Sequence, residues 1–277
     1  MKIKRICGFR FILLLSILVV FAEKVSAGSQ LNPSDSSGFF TSFDGVKIYY
    51  EVRGTGKAVL LVHGFVVDGE SWKKTSLYDD LLKAGFKVIT LDLRGNGKSD
   101  KPHDCDAYGK DAEAKDMIGL MQMLGITNYD VVGYSRGSVI TARLLVLDKR
   151  ISKAVMGGIG IDFTNPEWPR RISFYKALSG EPSKELEGLV KRVKEMGLDQ
   201  QALACMQKEQ PSTSKEALAA VKQPVLIICG DNDADNGSSL ELVKLIPEGI
   251  HETVPGDHGS ASRTKEFSQK VISFISK

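Results

Sequence analysis

Cysteine and histidine are scarce in this 277-residue chain, at four each. No Cys/His spacing among them has the form of a metal site, so no metal is expected. Cys105, Cys205 and Cys229 lie beyond the leading segment, odd in number and widely spaced. That is not a disulfide framework. It leaves open a single Cys105–Cys205 bridge in an oxidising compartment, while Cys229, inside an apolar run, reads as a small buried hydrophobe. Charge of one sign is also lacking: 37 basic residues meet 34 acids, for a net +3. There is no internal repeat and no low-complexity tract.

The apolar run Phe11 to Ala22 is short of the about 20 residues that a membrane span wants. It follows a basic start (Lys2, Lys4, Arg5, Arg10) and precedes the small residues Val25-Ser26-Ala27. This is the pattern of a secretory signal peptide cleaved after Ala27, with an uncleaved anchor as the alternative. Cys7 precedes the run and is badly placed for lipid modification after cleavage. The expectation is a secreted or periplasmic protein with no stable membrane span once the leader is removed. The leading 27 residues hold five bases and one acid, a net +4 within the chain's +3, so the remainder is −1. The apparent basicity belongs to the leader, and no nucleic-acid partner is indicated.

Residues 28–38, rich in Ser, Gly, Asn and Pro, read as a mobile linker. Phe39 to Phe43 and Val46 to Arg53 flank Asp44-Gly45 as a hairpin. Apolar strands are expected at Ala58 to Val62, Lys87 to Leu93, Tyr129 to Val132, Ile151 to Ile159, Gln223 to Cys229 and His251 to Val254. Helical patterns lie between them, at about Asp111 to Leu124, after Ser135, near Ser238 to Ile246, and at the C-terminus with Phe267, Val271 and Phe274 or Ile275. Strands that are nearly continuous in apolar residues and alternate with helices imply an α/β fold, a mostly parallel sheet covered on both faces. The core is expected to comprise residues 39–161 and 222–277. Across 162–221 the strand rhythm stops, and Pro166, Gly180-Glu-Pro182, Gly197 and Pro211 divide an insert into about three short helices. Some of its aromatics, Phe163, Trp168, Phe174 and Tyr175, should face a pocket at the nearby sheet edge.

The densest chemical signal is Gly133-Tyr134-Ser135-Arg136-Gly137, with a strand before it and a helix after it. A turn that tight crowds positions two residues from the serine, which calls for glycine on both sides. A serine hydroxyl needs a base and a carboxylate to orient that base. Of the four histidines, His63 sits at a strand exit, His103 in a polar loop and His251 at the wrong end of a strand. His258, in Gly256-Asp257-His258-Gly259, falls at the carboxyl edge of the sheet with Ser135. The carboxylate should come from Gly230-Asp231-Asn232-Asp233-Ala234-Asp235. Asp233 is placed to turn over the sheet, Asp231 is the alternative, and Asp235 reads as solvated or as a cap of the next helix. The backbone N–H groups of Phe65 and Arg136 are the expected oxyanion donors, the latter at a helix start. The Arg136 side chain has no required role, and the His63 ring is expected to brace its loop.

His63-Gly64-Phe65, Asp92-Leu-Arg94-Gly95-Asn-Gly97-Lys-Ser99, Gly133-Tyr-Ser135-Arg-Gly137, Gly230-Asp-Asn-Asp233 and Asp257-His258 resemble the α/β-hydrolase superfamily over about residues 39–277. The resemblance implies that Asp233 is the orienting acid, that 162–221 is a helical cap, and that Arg94 is structural. It implies an ester hydrolase with a Ser135–His258–Asp233 triad, a small-molecule ester substrate and no metal or organic cofactor. A perhydrolase or cofactor-free haloperoxidase, a lactonase and a carbon–carbon bond hydrolase share the fold, and a slow-turnover ligand-binding protein or receptor is the alternative of another class. Serine at position 135 argues against relatives with an aspartate nucleophile, such as epoxide hydrolases.

Overall fold

The near-continuous apolar runs of the sequence become strands buried on both faces of one sheet. The computed structural model describes residues 35–277. The expected leader, and the linker up to residue 34, lie outside the described residues. The eight strands are β1 (Ser36–Thr41), β2 (Lys47–Arg53), β3 (Ala58–Val62), β4 (Lys87–Leu91), β5 (Tyr129–Tyr134), β6 (Ile151–Gly157), β7 (Val225–Gly230) and β8 (Gly249–Val254). They lie in the order β1-β2-β4-β3-β5-β6-β7-β8. Strands β3 to β8 pair in parallel, and the β1–β2 hairpin joins antiparallel to β4. Residues 36–38, expected in the linker, belong to β1. Their polar side chains carry no strand signal, and backbone pairing of Ser36 with Val52 and Gly38 with Tyr50 extends the hairpin.

Successive residues of a strand face opposite sides of the sheet. Val59, Leu61 and Val132 therefore pack with α1 (Ser76–Lys83) and α9 (Lys265–Ile275), whereas Leu60, Val62 and Val131 pack with α2 (Ala112–Met123), α3 (Arg136–Leu147) and α8 (Ser239–Val243). Helix α9 buries Phe267, Val271, Phe274 and Ile275, the stripe expected from its sequence.

Between β6 and β7 lie four helices rather than three: α4 (Pro169–Leu178), α5 (Glu187–Glu195), α6 (Gln200–Lys208) and α7 (Lys215–Ala219). Pro169 opens α4, where its missing N–H costs nothing. Asp199 and Ser214 cap α6 and α7 by accepting the N–H of Ala202 and Ala217. The unexpected fourth helix is this short capped turn after Pro211. Cys205 on α6 is disulfide-bonded to Cys105 in the 3-10 turn Cys105–Tyr108, so the two cysteines 100 residues apart do pair. Cys229 is free and buried. Beside the bridge His103 Nε2 lies 2.9 Å from Asp199. Among the described residues no helix is long and apolar enough to cross a membrane.

Arg94 is fully buried and pins the loop that follows β4. Its Nε and Nη2 donate to Asp116 on α2 at 2.7 and 2.6 Å, and Nη1 donates to Asp44 at 2.8 Å and to the carbonyl of Ala107. Asp92 closes the same loop by accepting the N–H groups of Gly69 and Lys98. This is the structural role expected of Arg94. Truncation would strand two carboxylates, one of them buried, so Arg94→Ala should cost about 3–5 kcal/mol, measured as a fall in the denaturant midpoint with the slope unchanged.

Candidate active site

Ser135 sits where β5 turns into α3 at φ 55° and ψ −122°, a conformation that L-residues seldom adopt. Its N–H donates to the carbonyl of Gly157 at the end of β6, and Ser138 Oγ donates to the same oxygen, each at 2.8 Å. The two glycines of the motif are required by contact. A Cβ on Gly133 would lie 2.5 Å from the Gly137 carbonyl oxygen, and one on Gly137 would lie 2.2 Å from that of Val62. The turn is therefore clamped between β3 and β6, with the serine at its apex.

His258 arrives from the loop after β8. Its Nε2 is 2.8 Å from Ser135 Oγ, and its Nδ1 is 2.9 Å from Asp233 Oδ2. The Asp233 carboxylate is almost fully buried, whereas the His258 ring is about a quarter exposed. Tyr134 OH donates to the His258 carbonyl at 2.9 Å and holds that loop against β5. Asp231 instead accepts the Gly256 N–H at 2.9 Å and ties the ends of β7 and β8 together. Asp235 is not a cap. It pairs with Arg170 at 3.2 Å, and Ser238 caps α8. His251 lies within β8 beside Ser239, away from this edge.

The backbone N–H groups of Phe65 and Arg136 have no acceptor among the described residues, and both residues line the cavity that Ser135 faces. Gly64 packs against Ser135, a Cβ there lying 3.6 Å from that of the serine. His63 is buried beneath this turn. Its Nε2 accepts the Leu93 N–H at 3.0 Å and its Nδ1 lies 2.7 Å from the Gly64 carbonyl, which together fix the neutral Nδ1–H tautomer. The Arg136 guanidinium turns inward and makes a bidentate pair with Glu113 on α2, both bonds at 2.7 Å and both side chains buried. Glu113 was not singled out in the sequence. The available signal was its position, three residues before Asp116 on the buried face of α2, where each acid meets an arginine.

The cavity, of about 350 Å³, is lined by Trp168 and Phe174 as expected. Phe163 and Tyr175 are not part of it. Phe163 is buried in the main core, and Tyr175 packs with Leu178 and Cys205 in a smaller cluster on the far side of α4. Alternate positions on a short helix face different ways, which aromatic content does not reveal. Trp72, from the 3-10 turn Gly69–Lys74, lines the cavity unannounced by any motif. No group of three or more His, Cys, Asp or Glu side chains among the described residues could hold a metal ion.

A family model described as the alpha/beta hydrolase fold matches residues 57–177, and the solved bromoperoxidase of Bacillus anthracis superposes over 87% of this chain and 100% of its own at a TM-score of 0.70, with 25% identity. The chain has the α/β-hydrolase fold. An esterase from Exiguobacterium antarcticum shares the fold, with a TM-score of 0.73, 20% identity, and 87% and 100% coverage. The non-heme haloperoxidase of Rhodococcus erythropolis is 33% identical over 125 residues, 43% of either chain. The chain spans less than half the length of the leading curated relatives it matches.

Burial pushes the His63 imidazole below the usual histidine range. The unfolded chain takes up a proton near pH 6.5 that the folded chain refuses, so this contribution to stability is present above that pH and is lost on acidification. Unfolding free energy should fall between pH 7 and pH 5, and in His63→Gln the slope should be smaller, by up to about 1.4 kcal/mol per pH unit. Chemical denaturation at stepped pH measures both.

Proposed function

We propose that the protein is an exported serine hydrolase that cleaves small to medium carboxylic esters. The observation that carries this reading is the single line of hydrogen bonds from Ser135 Oγ through His258 to Asp233, beside two amides with no acceptor among the described residues. Ser135 Oγ attacks the ester carbonyl as its proton passes to His258 Nε2, and Asp233 steadies the imidazolium. The amides of Phe65 and Arg136 hold the oxygen that gains charge. Collapse breaks the ester bond, and the alcohol leaves with the proton from His258. Water then gives a proton to the same nitrogen and attacks the acyl-serine, which releases the acid and restores Ser135. Helices α4 to α7 act as a cap that sets which esters enter.

A second reading is favoured by the names of the haloperoxidase and bromoperoxidase relatives. Hydrogen peroxide in place of water would release a peracid from the same acyl-serine, with halide oxidation following in solution. Both readings use one nucleophile, and the acceptor separates them.

Ser135→Ala and His258→Ala should each lower kcat/KM on p-nitrophenyl acetate and butyrate about 10⁴-fold or more. Wild-type turnover in either variant would remove the mechanism. Bromination of a diketone probe in bromide, acetate and peroxide, at a rate above ester hydrolysis, would favour the second reading. Export predicts that the protein recovered outside the cytoplasm has the mass of a chain starting at Gly28. Intact mass spectrometry decides this, and a retained leader would refute cleavage.

A further inference from the structure

Charge on the cavity wall is strongly one-sided. Five of the nine arginines in residues 35–277 line the cavity: Arg136, Arg170, Arg171, Arg192 and Arg263. Among the described residues no Asp, Glu or Lys lines it. Composition does not account for this, since the chain beyond residue 27 is close to neutral.

Two of the five have a carboxylate counter-charge. Arg136 is paired with Glu113, and Arg170 with Asp235 while lying over the Phe174 ring. The other three have none among the described residues. Among the described residues Arg171 donates only to the carbonyls of Pro166, Gln207 and Lys208, and its Nε is buried with no acceptor there. The side chains of Arg192 and Arg263 have no hydrogen-bond or ion-pair partner among the described residues. Arg171 and Arg192 come from α4 and α5, and Arg263 from the 3-10 turn that follows His258. Three guanidinium groups with no carboxylate partner among the described residues, lining one concavity, focus a positive potential into it. A neutral ester makes no use of that field. A carboxylate does, because the guanidinium fork matches its two oxygens.

We infer that the substrate is an ester bearing a second, ionised carboxylate, a monoester of a dicarboxylic acid. Arg171, Arg192 and Arg263 draw in and hold the free carboxylate while Ser135 attacks the ester carbonyl. The inference rests on the serine-hydrolase reading for its chemistry, but its charge recognition can be measured without turnover.

The test compares monomethyl adipate with dimethyl adipate at low ionic strength. The monoester should have the higher kcat/KM, by about tenfold, and added salt should erode that preference through screening. The double variant Arg192→Gln/Arg263→Gln, at two exposed positions, should reduce the monoester-to-diester ratio about tenfold. An equal or better diester, or an unchanged ratio in the variant, overturns the inference. Calorimetric titration of adipate into Ser135→Ala protein separates the two readings. Adipate binding that weakens with salt, together with no ester turnover by the wild type, would sink the hydrolytic reading and leave the anion site standing. Ester turnover without adipate binding would do the reverse.

Discussion

One residue held in an unfavourable backbone conformation organises this molecule. Ser135 at φ 55° costs on the order of 1–3 kcal/mol, and it persists because the surroundings leave it no alternative. The Gly157 carbonyl takes two hydrogen bonds from the turn, and Gly137 lies so close to β3 that no side chain fits there. Adjacency of β3, β5 and β6 in the sheet is thus what converts a five-residue motif into an exposed hydroxyl. The same turn leaves the Arg136 amide without an acceptor among the described residues at the start of α3, so the proposed nucleophile and the proposed oxyanion donor arise from one constraint.

Two sets of buried ions brace the ground around that turn. Arg94 joins the loop after β4 to α2 and to the hairpin turn, and Arg136 joins the Ser135 turn to α2 through Glu113. Both acids on α2 stand on its buried face, and each is useful only because an arginine reaches it. A charge buried without its partner would cost several kcal/mol, so these pairs fix where α2 lies. On the outer side, the Cys105–Cys205 bridge and the His103–Asp199 contact tie α6 to the loop after β4. The wall of the cavity that carries Arg171 and Arg192 is anchored through that segment.

Much of the fold was legible because parallel strands buried on both faces must be apolar throughout. Ala58–Val62 was located to the residue, and the other strands except the first to within two. Residues 36–38 were not legible, since their pairing is backbone to backbone and polar side chains carry no trace of it. The bases and acids of the candidate site were legible through position at strand ends. His258 was separated from three other histidines by where its strand ends, and Asp231 and Asp233 were both left in view until geometry gave one to Gly256 and the other to His258. The aromatics of the insert were half legible. Trp168 and Phe174 reach the cavity, whereas Phe163 belongs to a separate 3-10 turn (Ile161–Thr164) packed into the main core, and Tyr175, next to Phe174 on α4, turns away because neighbouring positions of a helix face different sides.

The sequence by itself determined the alternation of strand and helix, the glycine-flanked serine and the order in which serine, acid and histidine follow one another. Those are local properties, set by side-chain polarity and by the backbone freedom of glycine. Only the tertiary structure decided that Cys105 meets Cys205, that Glu113 meets Arg136, and that five arginines converge on one concavity. Each depends on segments far apart in the chain arriving at the same place, and a pattern of polarity along the chain holds no information about which distant charge or thiol will be opposite.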